Sequence, residues 1–409
     1  MRGSTVYDLI IRDATIVSSV GRQVVDVAIA KGKIAYVGPR PPRGAREEIQ
    51  AIGKFLMPGV VDTAVQFDPN GDTSIWERES RAAVTGGVTT VLSLPGGCSP
   101  VLDYDSARRR ADHAGTRSWC NFGLWGAANS GNAPEIARAT QEGLIVATLA
   151  NFDRSGDEGR NGGIGISPSE LQDFLAGSST IGVQLDVAEE ATEESDAILQ
   201  AARDHQGTIH LVHLSTAAEL NLIDPVRGDL PVTAGVTPHH LFLSTDDIDN
   251  PINTNPPVRA EQDRRTLWTA VKRGRLDCVA SDHHPSASMA DDGVPGSELL
   301  FPLMLSAVKY GRLSLELLVS LCSESPARIF GLANKGRIAK GADADLVLFS
   351  EGEITRVQSA GLMSGAGWSP YVDREAAPKP DLVIVNGIIT ARMGELVATE
   401  PSGRLVSRG

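Results

Sequence analysis

Short apolar runs broken by turn residues open the chain, at 8–11, 14–17, 24–30 and 33–37. The stretch VVDVAIAKGKIAYVG alternates with a period of two on either side of Gly32, so it reads as two strands joined by a turn. Near the other end, residues 344–349 and 382–385 repeat the pattern, with Asn386-Gly387 as a hairpin turn before Ile388. These runs predict one small β-sandwich domain built from both chain ends, residues 1–57 with 333–409.

Between them the periodicity changes. Strand-like runs at 88–94, 145–149, 181–185, 209–214, 232–236 and 278–280 alternate with helix-length stretches at 135–142, 192–204, 265–273 and 315–322. Alternating βα units predict a parallel sheet, and about 250 residues suit an eight-stranded barrel. Residues 58–332 therefore read as a (β/α)8 TIM-like barrel in a chain of α/β class. An open doubly wound sheet is the competing fold, but no Gly-x-Gly-x-x-Gly follows the first strand. Residues 153–166, rich in Gly, Asp and Arg, read as a loop after a strand, where barrel sites are built.

Length and charge narrow the picture. A chain of 409 residues suits a large barrel with an appended module, and 41% hydrophobic with 22% charged residues allows an ordinary core. A net charge of −13 disfavours nucleic acid and anionic membranes as partners, because both need a basic face. Cys98, Cys120, Cys278 and Cys322 are far apart and form no Cys-x-x-Cys, which argues against a disulfide framework and leads us to expect a reducing cytoplasm. The first residues hold no signal-like apolar run, and no segment reaches the roughly 20 apolar residues of a membrane span, so neither secretion nor insertion is expected.

The segment Phe55-Leu56-Met57-Pro58-Gly59-Val60-Val61-Asp62 resembles the first barrel strand of the cyclic amidohydrolases: dihydroorotase, hydantoinase, dihydropyrimidinase and allantoinase. ESRAAVTGGVTTVLSL at 79–94 resembles the first helix and second strand of that family, and His210-Leu-Val-His213-Leu-Ser-Thr216 its sixth strand. Pro238-His239-His240, Asn255-Pro256-Pro257-Val258-Arg259 and Ser281-Asp282-His283-His284-Pro285 resemble its later site segments. GRIAKGADADL from Gly336 resembles the return to the β module, and the tail from Gly367 to Arg404 is similar to the allantoinase and hydantoinase branch. The resemblance spans nearly the whole chain.

It implies hydrolysis of a cyclic amide by two metals about 3.5–4 Å apart that share a hydroxide. The implied ligands are a His-x-His pair, a carbamylated lysine, two further histidines and an aspartate. Here Ala64 and Gln66 occupy the His-x-His positions; alanine offers no ligand atom and a glutamine amide is a weak donor to zinc. No lysine occurs between Lys54 and Lys272, and Thr148 takes the lysine's place by the resemblance. No histidine lies between His113 and His205, so the fifth strand, around Asp186, lacks its ligand too. Only His213 and Asp282 match ligand positions, and the family's binuclear zinc centre is expected to be absent. Substrate contacts differ as well: Asp68 and Gly96 stand where dihydroorotase is expected to carry Arg and Asn.

The candidate catalytic residues are Asp282, His213, His239 and His283, and the candidate ligand-binding residues are Gln66, Asn255 and Arg259. Each has a structural alternative: Asp282 is a general base or a loop organiser with His283, and Asn255 with Arg259 holds a ligand or merely flanks a proline-shaped loop. His210 and His213, three apart on a strand, should leave on opposite faces, and at most one of His239 and His240 should face inward. Three functions remain open. One is a catalytically silent homologue that serves as a scaffold, in a homo-oligomer or beside a partner enzyme. Another is a metal-independent enzyme acting on a small cyclic amide, imide or ureide through Asp282 and a rim histidine. The last is a mononuclear hydrolase in which Asp186 or His239 joins His213 and Asp282.

Overall fold

A computed structural model of the chain describes residues 6–67, 72–97, 99–152, 165–175, 180–184, 193–204, 208–246, 252–288, 290–291 and 293–409. Asp68, Cys98, the candidate loop at 153–164, Asp186 and His205 lie outside the described residues.

The two runs at 8–11 and 14–17 form a single strand, Tyr7–Ser18, interrupted by a bulge between Ile11 and Ala14 at which Asp13 adopts a φ of 54°. It pairs antiparallel with Gly21–Ala30, and along its other edge runs parallel first to Ala45–Gln50 and then to Phe55–Pro58. The sheet therefore branches at this strand. From Phe55–Pro58 it continues antiparallel through Leu346–Phe349, Leu382–Val385, Ile388–Arg392 and Glu395–Leu396, and with Lys33–Gly38 antiparallel to Gly21–Ala30 it makes nine strands from both ends of the chain. Alternate side chains such as Ile11, Ile16, Val27, Ile29, Leu56, Leu346 and Ile384 close over one another as its core.

Phe55–Pro58 also hands the chain to the barrel. Gly59 separates it from the first barrel strand, Val60–Val65, and no other residue fits there, because a Cβ would lie 1.9 Å from Thr89 Oγ1. Seven parallel strands follow in sequence order: Val88–Ser93, Asn121–Ala127, Ala147–Ala150, Thr180–Gln184, Thr208–Val212, Val232–Val236 and Cys278–Val279. Gln66 N–H donates to His283 O at 2.7 Å, bringing the first strand against the end of the eighth and nearly closing a TIM-like barrel. The helices the pattern predicted are present with shifted ends: Ala133–Gln141, Glu193–Asp204, Glu261–Lys272, and Leu315–Val319, which runs on into a π turn at Ser320–Glu324. Ile75–Thr85, Tyr104–Gly115 and Ser297–Lys309 are further helices of the outer layer.

The barrel is a packed core, not a pore. Val61, Ala64, Leu92, Trp125, Val212, Ala280 and Phe330 form its buried apolar plug. Trp125 stacks edge-on against Phe330 at 5.1 Å, and a Cβ on Gly182 would come within 2.3 Å of the Trp125 ring. No helix among the described residues is long and apolar enough to cross a membrane.

Not all of residues 333–409 belongs to the sheet. Arg404–Val406 runs against the barrel, where Leu405 bridges to Phe122. A strap at residues 357–376 lies over the loop after the eighth strand, and Trp368 Nε1 donates to Ser286 O at 2.9 Å. Two buried carboxylates clasp this strap: Glu298 accepts from the Met363 and Ser364 amides, and Glu79 accepts from Ser364 Oγ at 2.7 Å and Gly365 N at 3.0 Å.

Candidate functional site

The strand ends on the C-terminal face of the barrel carry the candidate residues, as the fold requires. The sixth strand stops at Val212, and His213 turns out of it with a φ of 61°; Asp282, after the eighth, has a φ of 51°. Such backbone is uncommon for residues with a Cβ, and it gathers at functional sites. The turn brings the two side chains together, with His213 Nδ1 3.7 Å from Asp282 Oδ1. Burial pushes the Asp282 carboxyl up to about 7 although 17% of the side chain stays open to solvent, and burial lowers the His213 imidazole to about 3. Near neutrality this is a part-protonated acid beside a neutral imidazole whose Nε2 is buried without a hydrogen-bond partner among the described residues.

His210 sits deeper, inside the barrel. Its Nδ1 pairs with Thr233 Oγ1 at 2.9 Å, its Nε2 faces Cys278 Sγ at 3.7 Å, and its ring packs on Phe330. Strand alternation fails as a guide at 238–242, because Pro238–Phe242 is a short helix. Thr237 caps it by accepting from His240 N, with Pro238 in the first turn. Both imidazoles are buried. His240 is held at both ends, by Thr237 Oγ1 at 2.7 Å and Pro257 O at 3.2 Å. Neither nitrogen of His239 has a hydrogen-bond partner among the described residues, and burial, then His240 and His213, hold it well below the usual imidazole range.

His283 points away from this group. Its Nδ1 accepts from the amides of Gly296 and Ser297 at the start of helix Ser297–Lys309, and its Nε2 faces Glu79 Oε2 at 3.3 Å. That arrangement fixes the tautomer and makes His283 a bracket between the eighth strand and helix Ile75–Thr85. Gln66 lies at the first strand's end, its amide beside Gly96. Arg259 is drawn toward the sixth strand by its Nε donating to Ser215 Oγ at 3.2 Å, whereas Asn255 is exposed. Ala64 is a fully buried part of the apolar plug, and Thr148 is fully buried in the fourth strand.

Two acids that sequence reasoning passed over hold these pieces in place. Asp62, fully buried in the first strand, accepts from Ser281 N at 2.9 Å, Ser281 Oγ at 2.5 Å and Ser297 Oγ at 2.8 Å, and its burial raises its pKa. Glu79 is also raised by burial, but His283, Ser364 and Arg78 outweigh that and hold it at about 2. The signal for Glu79 was a charge placed on the apolar stripe of its helix, between Trp76 and Ala83.

The donors that the described residues bring to the mouth are fewer than a two-metal centre takes. Among the described residues no three His, Cys, Asp or Glu side chains gather where they could hold a metal ion. The contact between His213 and Asp282 offers two donors where a zinc site takes three or more.

A sequence model of the amidohydrolase family matches residues 55–390. Dihydroorotase from Pyrococcus furiosus is 29% identical, aligning over 94% of this chain and 92% of its own length. Allantoinase from Rubrobacter xylanophilus is 30% identical over 98% of this chain and 97% of its own. The solved structure of L-hydantoinase from Arthrobacter aurescens superposes with a TM-score of 0.90 at 28% identity, covering 98% of this chain and all of that one.

Proposed function

Because the chain belongs to the amidohydrolase family, within its cyclic-amidohydrolase group, we propose that it is a member that no longer opens rings through a binuclear metal centre and that uses its barrel as a scaffold. The observation that supports this reading is the combination of a fully packed barrel with a donor-poor mouth: Ala64 belongs to the apolar plug, and His213 meets Asp282 without a third metal-binding side chain among the described residues. Self-assembly and a partner enzyme are the two forms of scaffold the reading admits. Without a metal hydroxide, unactivated amide hydrolysis at neutral pH lacks its nucleophile.

The expected result is clear-cut. Protein purified without chelator and then offered zinc retains well under one ion per chain by elemental analysis, and it does not open hydantoin, dihydroorotate or allantoin above the uncatalysed rate. Two tightly held ions per chain together with ring opening would overturn the reading.

A second reading is favoured by the 3.7 Å approach of Asp282 to His213 and by the Asp282 carboxyl at about 7: metal-independent acid-base chemistry on a small activated ring such as an imide. A group titrating near the working pH is the efficient proton donor or acceptor, and such help is worth about 10²–10⁴-fold, enough for a reaction easier than amide hydrolysis. On this reading Asp282→Asn loses at least tenfold in turnover of a reactive imide, whereas an unchanged rate removes Asp282 from the chemistry.

A further inference from the structure

We propose that Tyr371, carried to the barrel mouth by the tail strap, is a ligand-contacting and specificity-determining residue of a site that works without metal. This rests on the second reading above and adds to it a residue that selects among the rings.

Tyr371 is fully buried among Leu243, Val258, Val294, Leu299 and Leu303, yet its hydroxyl has no hydrogen-bond partner among the described residues. Buried phenols normally find one, so a lone hydroxyl in a packed wall calls for a partner that arrives from outside. It is not alone in this. Both His239 nitrogens and His213 Nε2 are buried and equally unpartnered among the described residues. The groups are neighbours: His213 Nδ1 stands 3.7 Å from Asp282 Oδ1, the rings of His239 and His240 are 4.5 Å apart, and the cluster that encloses Tyr371 includes Leu243, at the end of the helix that carries His239, and Val294, which pairs with His283 next to Asp282.

The position of the phenol is set before any ligand binds. Glu79 and Glu298 clasp the strap at 363–365, and Trp368 ties it to Ser286, three residues before Tyr371. A group held in this way is preorganised, so little ordering is needed on binding. The available groups are a phenol O–H and neutral imidazole edges that each carry one donor and one acceptor. They suit a small uncharged ring with a carbonyl acceptor next to an N–H. A ring bearing a carboxylate would bring its charge up to the Asp282 carboxyl, and two carboxyls side by side cannot both ionise without repulsion.

Titration calorimetry of the metal-free protein with hydantoin, dihydrouracil and dihydroorotate tests this. At least one uncharged ring is expected to bind, and dihydroorotate at least tenfold more weakly. Tyr371→Phe should weaken the uncharged ring about tenfold while the unliganded Tm stays the same or rises, because the change removes only an unpaired hydroxyl. Equal affinity in the Phe variant, a lower unliganded Tm, or no binding of either uncharged ring by the native protein would each overturn the role of Tyr371. Binding that appears only with stoichiometric zinc would instead overturn the metal-free reading on which the role depends.

Discussion

Acidification from pH 6.5 toward 3 is expected to unfold this protein with the uptake of several protons. Burial lowers His210, His213 and His240 to about 3 and takes His239 well below the ordinary value of 6.5. In the unfolded chain all four titrate near 6.5, so their contribution to stability is fully present above that pH and drains away as pH falls toward the folded values. Each adds a slope of up to about 1.4 kcal/mol per pH unit, and four together reach several kcal/mol by pH 5, comparable with a typical total stability of about 5–15 kcal/mol. Asp282, raised to about 7, works in the opposite sense: its contribution is present at low pH and is lost as pH rises from about 4 to 7. Asp62, also raised by burial, acts in the same sense, and two carboxyls do not offset four imidazoles. Below pH 4.5 Glu79 joins the loss, because its pKa is held down to about 2. Denaturant melts taken at successive pH values read the slope directly. A stability flat between pH 6.5 and 5 would mean that the imidazoles are solvated or already charged in the folded protein.

The barrel was legible because parallel strands buried on both faces leave apolar runs, and Val232–Val236 begins and ends where the pattern put it, as does Leu382–Val385 in the antiparallel sheet of the chain ends. The strand Asn121–Ala127 was harder to see, since NFGLWGA includes two glycines that make room for side chains from neighbouring elements, Leu92 and Val146 at Gly123 and Ile136 and Ile145 at Gly126. The site was legible only as chemistry. His213 and Asp282 could be singled out, but their meeting depends on two left-handed backbone turns that no local pattern announces. At 237–242 the local signal existed and was overlooked, for Thr-Pro is a cap followed by a first-turn proline, and reading it as such would have placed both imidazoles on a helix. Tyr371 comes from the far end of the chain, and its place is set by the clasp of Glu79 and Glu298 and by the bond from Trp368 to Ser286, contacts that no local pattern announces.

That clasp carries the second large effect. Glu79→Ala is expected to cost about 3–5 kcal/mol, the range for breaking a buried charged contact by removing one side. The Glu79 side chain is fully buried and serves four groups at once: His283 Nε2 at 3.3 Å, Arg78 Nε at 3.0 Å, Ser364 Oγ and the Gly365 amide. Alanine leaves the imidazole and the strap's donors in a dry site with nothing to accept them, and each unmet buried group costs roughly 1–3 kcal/mol. The consequences differ by region. His283 keeps its contact with the start of helix Ser297–Lys309, so the eighth strand stays in place, while the strap loses one of its two clasps and should become the first segment cut by protease. His283→Phe also strips the Gly296 and Ser297 amides of their acceptor, so the two changes are compared through a double-mutant cycle, which should return a coupling of about 1–3 kcal/mol. Strict additivity of the two changes, or a strap equally resistant to protease in Glu79→Ala, would show that Glu79 does not join the barrel to its tail.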